Sequence, residues 1–208
     1  MNRVALSTLA IVGLALVAGC SGGSNSPSTS AQPPTSGAAT STSAAGLAPP
    51  ITQPKLDKAA TFASKPCDLL TAAQYGTVRV SAPGKVGESV LGQECTWRTA
   101  QNPNTSVGGS FSVALSTKAD AGLNNLYAKR DTYKAFEPAT VSGYPSVHAN
   151  TGTPFGEGDC FGYTSVSDTV TISVGVTVND KAAAEYKNAC GLADKVAEMV
   201  ISTIKGGS

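Results

Sequence analysis

The chain has 208 residues, with 15 basic and 14 acidic side chains, one histidine and a net charge of +1. From Lys55 onward the balance is fourteen against fourteen with no Lys/Arg cluster, so nothing provides the basic footprint that nucleic acid requires. The same neutrality argues against electrostatic steering of acidic substrates or anionic lipids.

The first twenty residues have the parts of an export signal. Arg3 is the only charge before Lys55, and Val4 to Val17 form an apolar run of fourteen residues. A membrane-spanning helix needs roughly 20, so the run is expected to be a signal peptide over residues 1–19 rather than an anchor. Its end, Val17-Ala18-Gly19-Cys20, resembles the lipobox of bacterial lipoproteins, in which an aliphatic and two small residues precede a cysteine. That resemblance implies cleavage before Cys20 and a thioether-linked diacylglycerol on its sulfur. Each buried CH₂ contributes about 0.8 kcal/mol and one chain binds only marginally, so two or three acyl chains would hold the protein on the membrane.

Residues 21–54 carry no charge and are dominated by Ser, Thr, Pro, Ala and Gly. Such a stretch cannot bury enough apolar surface to offset its ordering entropy, which predicts a disordered linker over residues 20–60. It would reach on the order of 30 Å if flexible and roughly 100 Å if extended. A single folded domain is expected over residues 61–208.

Of five cysteines, a lipidated Cys20 leaves Cys67, Cys95, Cys160 and Cys190. An even set in an exported chain reads as two disulfides. Of three pairings, Cys67 with Cys95 and Cys160 with Cys190 is favoured, because each joins a strand to a helix-start segment nearby in sequence. No CxxC pair occurs and histidine is single, so no common zinc site is expected.

In the domain, Thr71 to Gln74 has a capping-box pattern opening a short helix, which Gly76 should stop. Gln93 to Arg98 alternates, with Cys95 and Trp97 on one face, and Phe111, Val113 and Leu115 continue the period-two pattern. Thr117 and Asp120 open a second helix bearing Leu123, Leu126 and Tyr127. Strands follow over Lys134 to Val141 and Pro145 to Asn150 around a turn at Ser142-Gly143-Tyr144. Cys160 to Val166 and Thr169 to Val178 make a further hairpin, whose valine stripe should lie at the centre of the sheet. A last helix, capped by Asn188, runs from Ala189 to Ile204 with Ala193, Val196, Ala197, Val200, Ile201 and Ile204 inward. The fold class is therefore α+β: an antiparallel sheet of about 5–7 strands, two or three helices packed on one face, and two disulfides.

Pro66-Cys67-Asp68-Leu69-Leu70-Thr71, Glu94-Cys95-Thr96-Trp97, Gly143-Tyr144-Pro145, Asp159-Cys160 and Cys190 together resemble an actinobacterial lipoprotein family defined by a domain of unknown function, DUF3558. The resemblance covers roughly Pro66 to Ile204. It implies an envelope lipoprotein with two disulfides and carries no established activity. Asn188-Ala189-Cys190 stands where such proteins often have Asp-Pro-Cys.

No catalytic set is legible. His148 is the only base for a serine hydrolase, and it lies on an alternating strand where a satisfied side chain is expected. Gly87-Glu88-Ser89-Val90-Leu91 lacks the second glycine of a nucleophile elbow. Gly152 to Asp159 reads as a flexible hairpin loop, with Glu157 and Asp159 too few for calcium. No cofactor is implied and nothing indicates an oligomeric state. The expectation is a non-catalytic domain, tethered through Cys20 to the outer face of the cell membrane, that binds an envelope protein or a wall or lipid component. Tyr144, Phe155 and Tyr163 are its candidate surface. The alternative is a carrier sheltering a small apolar ligand between sheet and helices.

Overall fold

Seven strands form one antiparallel sheet in a computed structural model that describes residues 48–104, 108–118 and 122–206. The lipobox-like segment, Cys20 and most of the expected linker lie outside the described residues. The strands are β1 (Lys85–Ser89), β2 (Gly92–Arg98), β3 (Gly109–Ser116), β4 (Ala135–Val141), β5 (Tyr144–Asn150), β6 (Asp159–Ser165) and β7 (Thr171–Val178). Their spatial order, β1-β2-β3-β7-β6-β5-β4, makes β7 the central strand. The valine stripe therefore sits at the middle of the sheet, as its unbroken alternation predicts.

Local chemistry fixes the hairpins. Ser142 and Gly143 both adopt positive φ (50° and 83°), the left-handed pair that matches strand twist, so β4 turns directly into β5. Pro138 cannot donate to a ladder, and it lies on β4 at the sheet's edge. At the opposite edge, β1 pairs with β2 around Val90-Leu91. The segment examined above as a nucleophile elbow is thus an edge strand and its turn.

The helices are α1 (Leu123–Ala128), α2 (Ala184–Lys187) and α3 (Ala189–Ile204). Helix α3 buries all six inward positions expected of it, and also Ala189. It covers the face that carries Phe111, Val113, Ile172, Val174 and Val176, joined by Leu69, Trp97 and Tyr144 in the main core. Burying such side chains contributes about 1.5–3 kcal/mol each, which makes this interface the main source of cohesion.

Helix α1 is shorter than the capping pattern at Thr117 suggests and begins after Gly122; Asp120 lies outside the described residues. Leu123 and Leu126 pack with Val147, Tyr163 and Phe136 in a second, smaller cluster. Side chains alternate along a strand, so Val147 and its neighbour His148 face opposite ways, and α1 covers the face that α3 does not. Strand β5 is consequently buried along its whole length.

Two further expectations are revised at the domain's start. The segment after Thr71 is a 3₁₀ helix, Ala72–Val78, that runs through Gly76 and ends at Arg79. The capping pattern itself holds at its Gln74 end, where Oε1 accepts from the Thr71 amide (2.8 Å). The linker boundary near residue 60 falls inside packed chain. Tyr144 donates to the Pro54 carbonyl (2.6 Å), the Leu56 amide to Val166 (2.8 Å), and Ala59 is fully buried.

Candidate functional site

Both expected disulfides are present: Cys67–Cys95 joins a 3₁₀ turn (Pro66–Leu69) to β2, and Cys160–Cys190 joins β6 to α3. Each fixes one side of the sheet to the layer above it, and an open groove lies at the end of the central strand where β7 finishes and β3 begins. The groove holds a cavity of about 270 Å³.

Five stretches of chain build it: the 3₁₀ end at Thr77 to Arg79, the segment after β2 at Thr99 to Asn102, the start of β3, the turn after β7 at Asp180, and the first turns of α3. Arg79 caps its 3₁₀ helix in the left-handed conformation (φ 56°, ψ 34°). A side chain there costs about 1–2 kcal/mol, and Arg79 is held by its carbonyl, which accepts from the Ala100 amide (2.7 Å). Asn188 caps α3, its Oδ1 accepting from the Gly191 amide (3.2 Å). A Cβ at position 191 would collide with that folded-back amide, so glycine shapes this wall.

The groove carries both charges. Arg79 and Lys195 line it, both exposed, and neither is in an ion pair among the described residues. Asp180, only 8 % exposed, accepts from Asn102 Nδ2 (2.7 Å) and from the Ala182 amide (3.1 Å), and Glu185 stands nearby on the rim. Val78, Val178 and Leu192 give the groove apolar contact surface. Such an arrangement can grip a ligand that presents an anion to Arg79 and Lys195 and a donor to Asp180.

A second hollow, of about 430 Å³, lies at the other end of β7 beside the incoming chain, between Ala48 to Ile51 and Ser165 to Thr171. Lys55 and Asp168 pair there, and that partner raises the Lys55 ammonium above its ordinary pKa.

The three aromatic residues expected on a binding surface are not brought together. Tyr144 is fully buried in the main core, with its hydroxyl committed to Pro54 and Lys205 over its ring. Phe155 packs edge-on against His148, with centroids 6.2 Å apart. Tyr163 belongs to the α1 cluster on the opposite face, where burial and then neighbouring Tyr133 push its phenol up to about 12. His148 is satisfied, as its strand position suggests: its Nε2 lies 2.8 Å from Asp194 Oδ1. It lies within 4.8 Å of both sulfurs of Cys160–Cys190, which as a disulfide have no thiolates with which to hold a metal. Asp159 accepts from Thr177 across the sheet while Glu157 is exposed, so the two do not converge on a cation.

The sequence reading missed Arg79, Asn102, Asp180 and Lys195. They come from separate stretches of chain and share no spacing, and left-handed Arg79 has none of the Gly or Asn signals that mark such a cap.

Fold and site together define a doubly stapled α+β domain with a charged, open groove at the end of its central strand. The chain belongs to the DUF3558 family, described as proteins of unknown function, whose family model matches residues 15–203. No curated protein and no solved structure gives a significant match.

Proposed function

We propose that the protein is an exported actinobacterial lipoprotein, held by acylated Cys20 on the outer face of the cell membrane. Its domain is a non-catalytic binding module for an envelope protein or a wall or lipid component. The observation that carries the binding reading is the groove in which Arg79 and Lys195, neither in an ion pair among the described residues, stand with buried Asp180. Two cations at the rim of a formed cavity, without an ionic partner among the described residues, favour binding in the groove. The lipobox, the uncharged spacer and two disulfides in one chain support the address, and the family match begins just before Val17. A non-catalytic role for the groove is supported by its lining, to which neither the histidine nor any cysteine among the described residues contributes. The carrier reading gains less support: Val174, Val176, Ala193, Val196 and Val200 are each at most 1 % exposed and fill the space between sheet and α3.

Two measurements test the proposal. Cys20→Ser should move the protein from the membrane fraction to the medium or leave it unprocessed, and continued lipid labelling would refute the anchor. A photo-crosslinker at position 192 should capture one discrete envelope species, with the yield cut severalfold by Lys195→Glu. Capture indifferent to that charge reversal would refute the groove as the binding site.

A further inference from the structure

The two disulfides differ in what stands beside them. Around Cys67–Cys95, Gly84 lies so close to the Cys95 sulfur and the Trp97 ring that a Cβ there would strike both, and no histidine stands beside it. Around Cys160–Cys190, the only histidine of the chain has its ring within 4.8 Å of both sulfurs. Its Nε2 is held at 2.8 Å by Asp194, one helical turn after Cys190 on α3. In both bridges one cysteine is buried and one is half-buried, Cys95 and Cys67 in the first, Cys160 and Cys190 in the second, so the histidine is what sets the second apart.

We propose that Cys160–Cys190 is a thiol–disulfide exchange site for a dithiol partner, with His148, aligned by Asp194, moving the proton of the buried Cys160 sulfur. The accessible sulfur is the one attacked. A thiolate of the partner forms a bond to Cys190 Sγ, the Cys160–Cys190 bond breaks, and Cys160 leaves as a thiolate. In a buried site that anion is costly, and protonated His148 neutralises it by giving up its proton. The partner's second thiol, deprotonated, then attacks the partner's own sulfur in the mixed disulfide. This closes the partner's disulfide and releases Cys190, which takes a proton from water. Two electrons and two protons pass from the dithiol to the domain, and solvent reprotonates His148. In the reverse direction His148 removes the Cys160 proton, and Cys190 is the entering nucleophile, its thiolate favoured by the helix N-terminus. Exchange at this bridge would set how firmly α3 is fastened to β6.

The test follows both bridges in one molecule: the full chain carrying Cys20→Ser, treated with limiting dithiothreitol, with thiols trapped by alkylation and located by mass spectrometry. Cys160–Cys190 is expected to open at least about tenfold faster than Cys67–Cys95, and His148→Gln to slow that opening by about tenfold or more while Cys67–Cys95 is unchanged. A merely structural histidine gives the opposite sign, since loosened packing exposes the bridge and speeds its reduction. Opening of Cys67–Cys95 first, simultaneous opening of both, or reduction in His148→Gln as fast as in the parent would overturn the proposal. Should His148→Gln fail to fold, Asp194→Asn on the half-exposed side of the pair carries the same expectation, a slower Cys160–Cys190 with Cys67–Cys95 unaffected.

Discussion

The two halves of the sheet, divided by β7, are held to their covering layer in different ways. On the β1-β2-β3 side the interface is apolar: Trp97 stacks on Phe111 at 5.4 Å, and Leu69, Val113 and Cys95 are fully buried around them. On the β6-β5-β4 side a buried polar row faces α3. Ser146 donates to the Tyr163 carbonyl (2.9 Å), and His148 meets Asp194. Asn150 donates to the Asp159 carbonyl and accepts from the Phe161 amide, each at 3.0 Å. The β5–β6 ladder itself spans only Ser146 to His148, so the Asn150 side chain ties the strands where backbone pairing stops. One half gains stability without directional demands. The other gains specificity, because each buried polar group must keep its partner or cost about 1–3 kcal/mol.

The disulfides sharpen that contrast because they close loops of nearly the same length, with separations of 28 and 30 residues. Chain entropy alone gives each about 3.5 kcal/mol, so a difference between them reports on the native surroundings. Replacing Cys67 and Cys95 by alanine empties sulfur volume from an apolar site beside Trp97, which adds about 1 kcal/mol as a cavity with no polar lining to hold water. Replacing Cys160 and Cys190 leaves space beside His148, where water has polar partners. The first double variant should therefore unfold at lower urea than the second. Equal midpoints, or the reverse order, would break the distinction between an apolar half and a polar one.

The same distinction decided what could be read from sequence. The β7 stripe, the inward face of α3 and the cysteine pairing were legible, since each depends on periodicity or on spacing along a single stretch. Strand β5 misleads: Ser146, His148 and Asn150 alternate with Val147 and Ala149 like the wet face of a half-exposed strand, yet all are buried. α1 and α3 cover opposite faces of it, and a polar residue facing a helix looks in sequence like one facing water. Strand β1 failed for the converse reason. As an exposed edge it needs no apolar face; Lys85 and Glu88 are exposed and Val86 remains 60 % exposed. Of the tyrosines expected at a surface, Tyr144 is a core residue and Tyr163 is half-buried against the α1 cluster.

Alkaline pH should act on one half rather than the other. Tyr127, Tyr133 and Tyr163 all belong to the α1 cluster of the β4-β5-β6 half, and burial is the leading cause raising each phenol, with Tyr163 reaching about 12. A raised folded-state value means that the unfolded chain releases these protons first. Stability is fully retained below the ordinary tyrosine value of about 10 and is lost as pH climbs toward about 12. A loss on the order of 1–2 kcal/mol across that window is expected, and Tyr163→Phe should remove most of the Tyr163 share. Urea midpoints at about pH 9 and about pH 11 measure it. A slope unchanged in Tyr163→Phe would mean that this cluster is not what alkali loosens.

The smallest effect discriminates best between strain kept for folding and strain kept for binding. Each half has one non-glycine residue at positive φ, Arg79 at the groove and Ser142 in the β4–β5 turn. Glycine adopts either conformation without penalty but loses more entropy on folding, so Arg79→Gly and Ser142→Gly should each stabilise by a net of about 0.5–1 kcal/mol. In Ser142→Gly the gain should come without other change, because the turn asks only for backbone shape. In Arg79→Gly it should come with loss of crosslinked capture at the groove, because the strained backbone carries a guanidinium to a cavity rim where no described residue pairs with it. A stabilised Arg79→Gly that still captured its ligand would show that the arginine is tolerated there rather than used. An Arg79→Gly no more stable than the parent would show that the arginine side chain itself supports the fold.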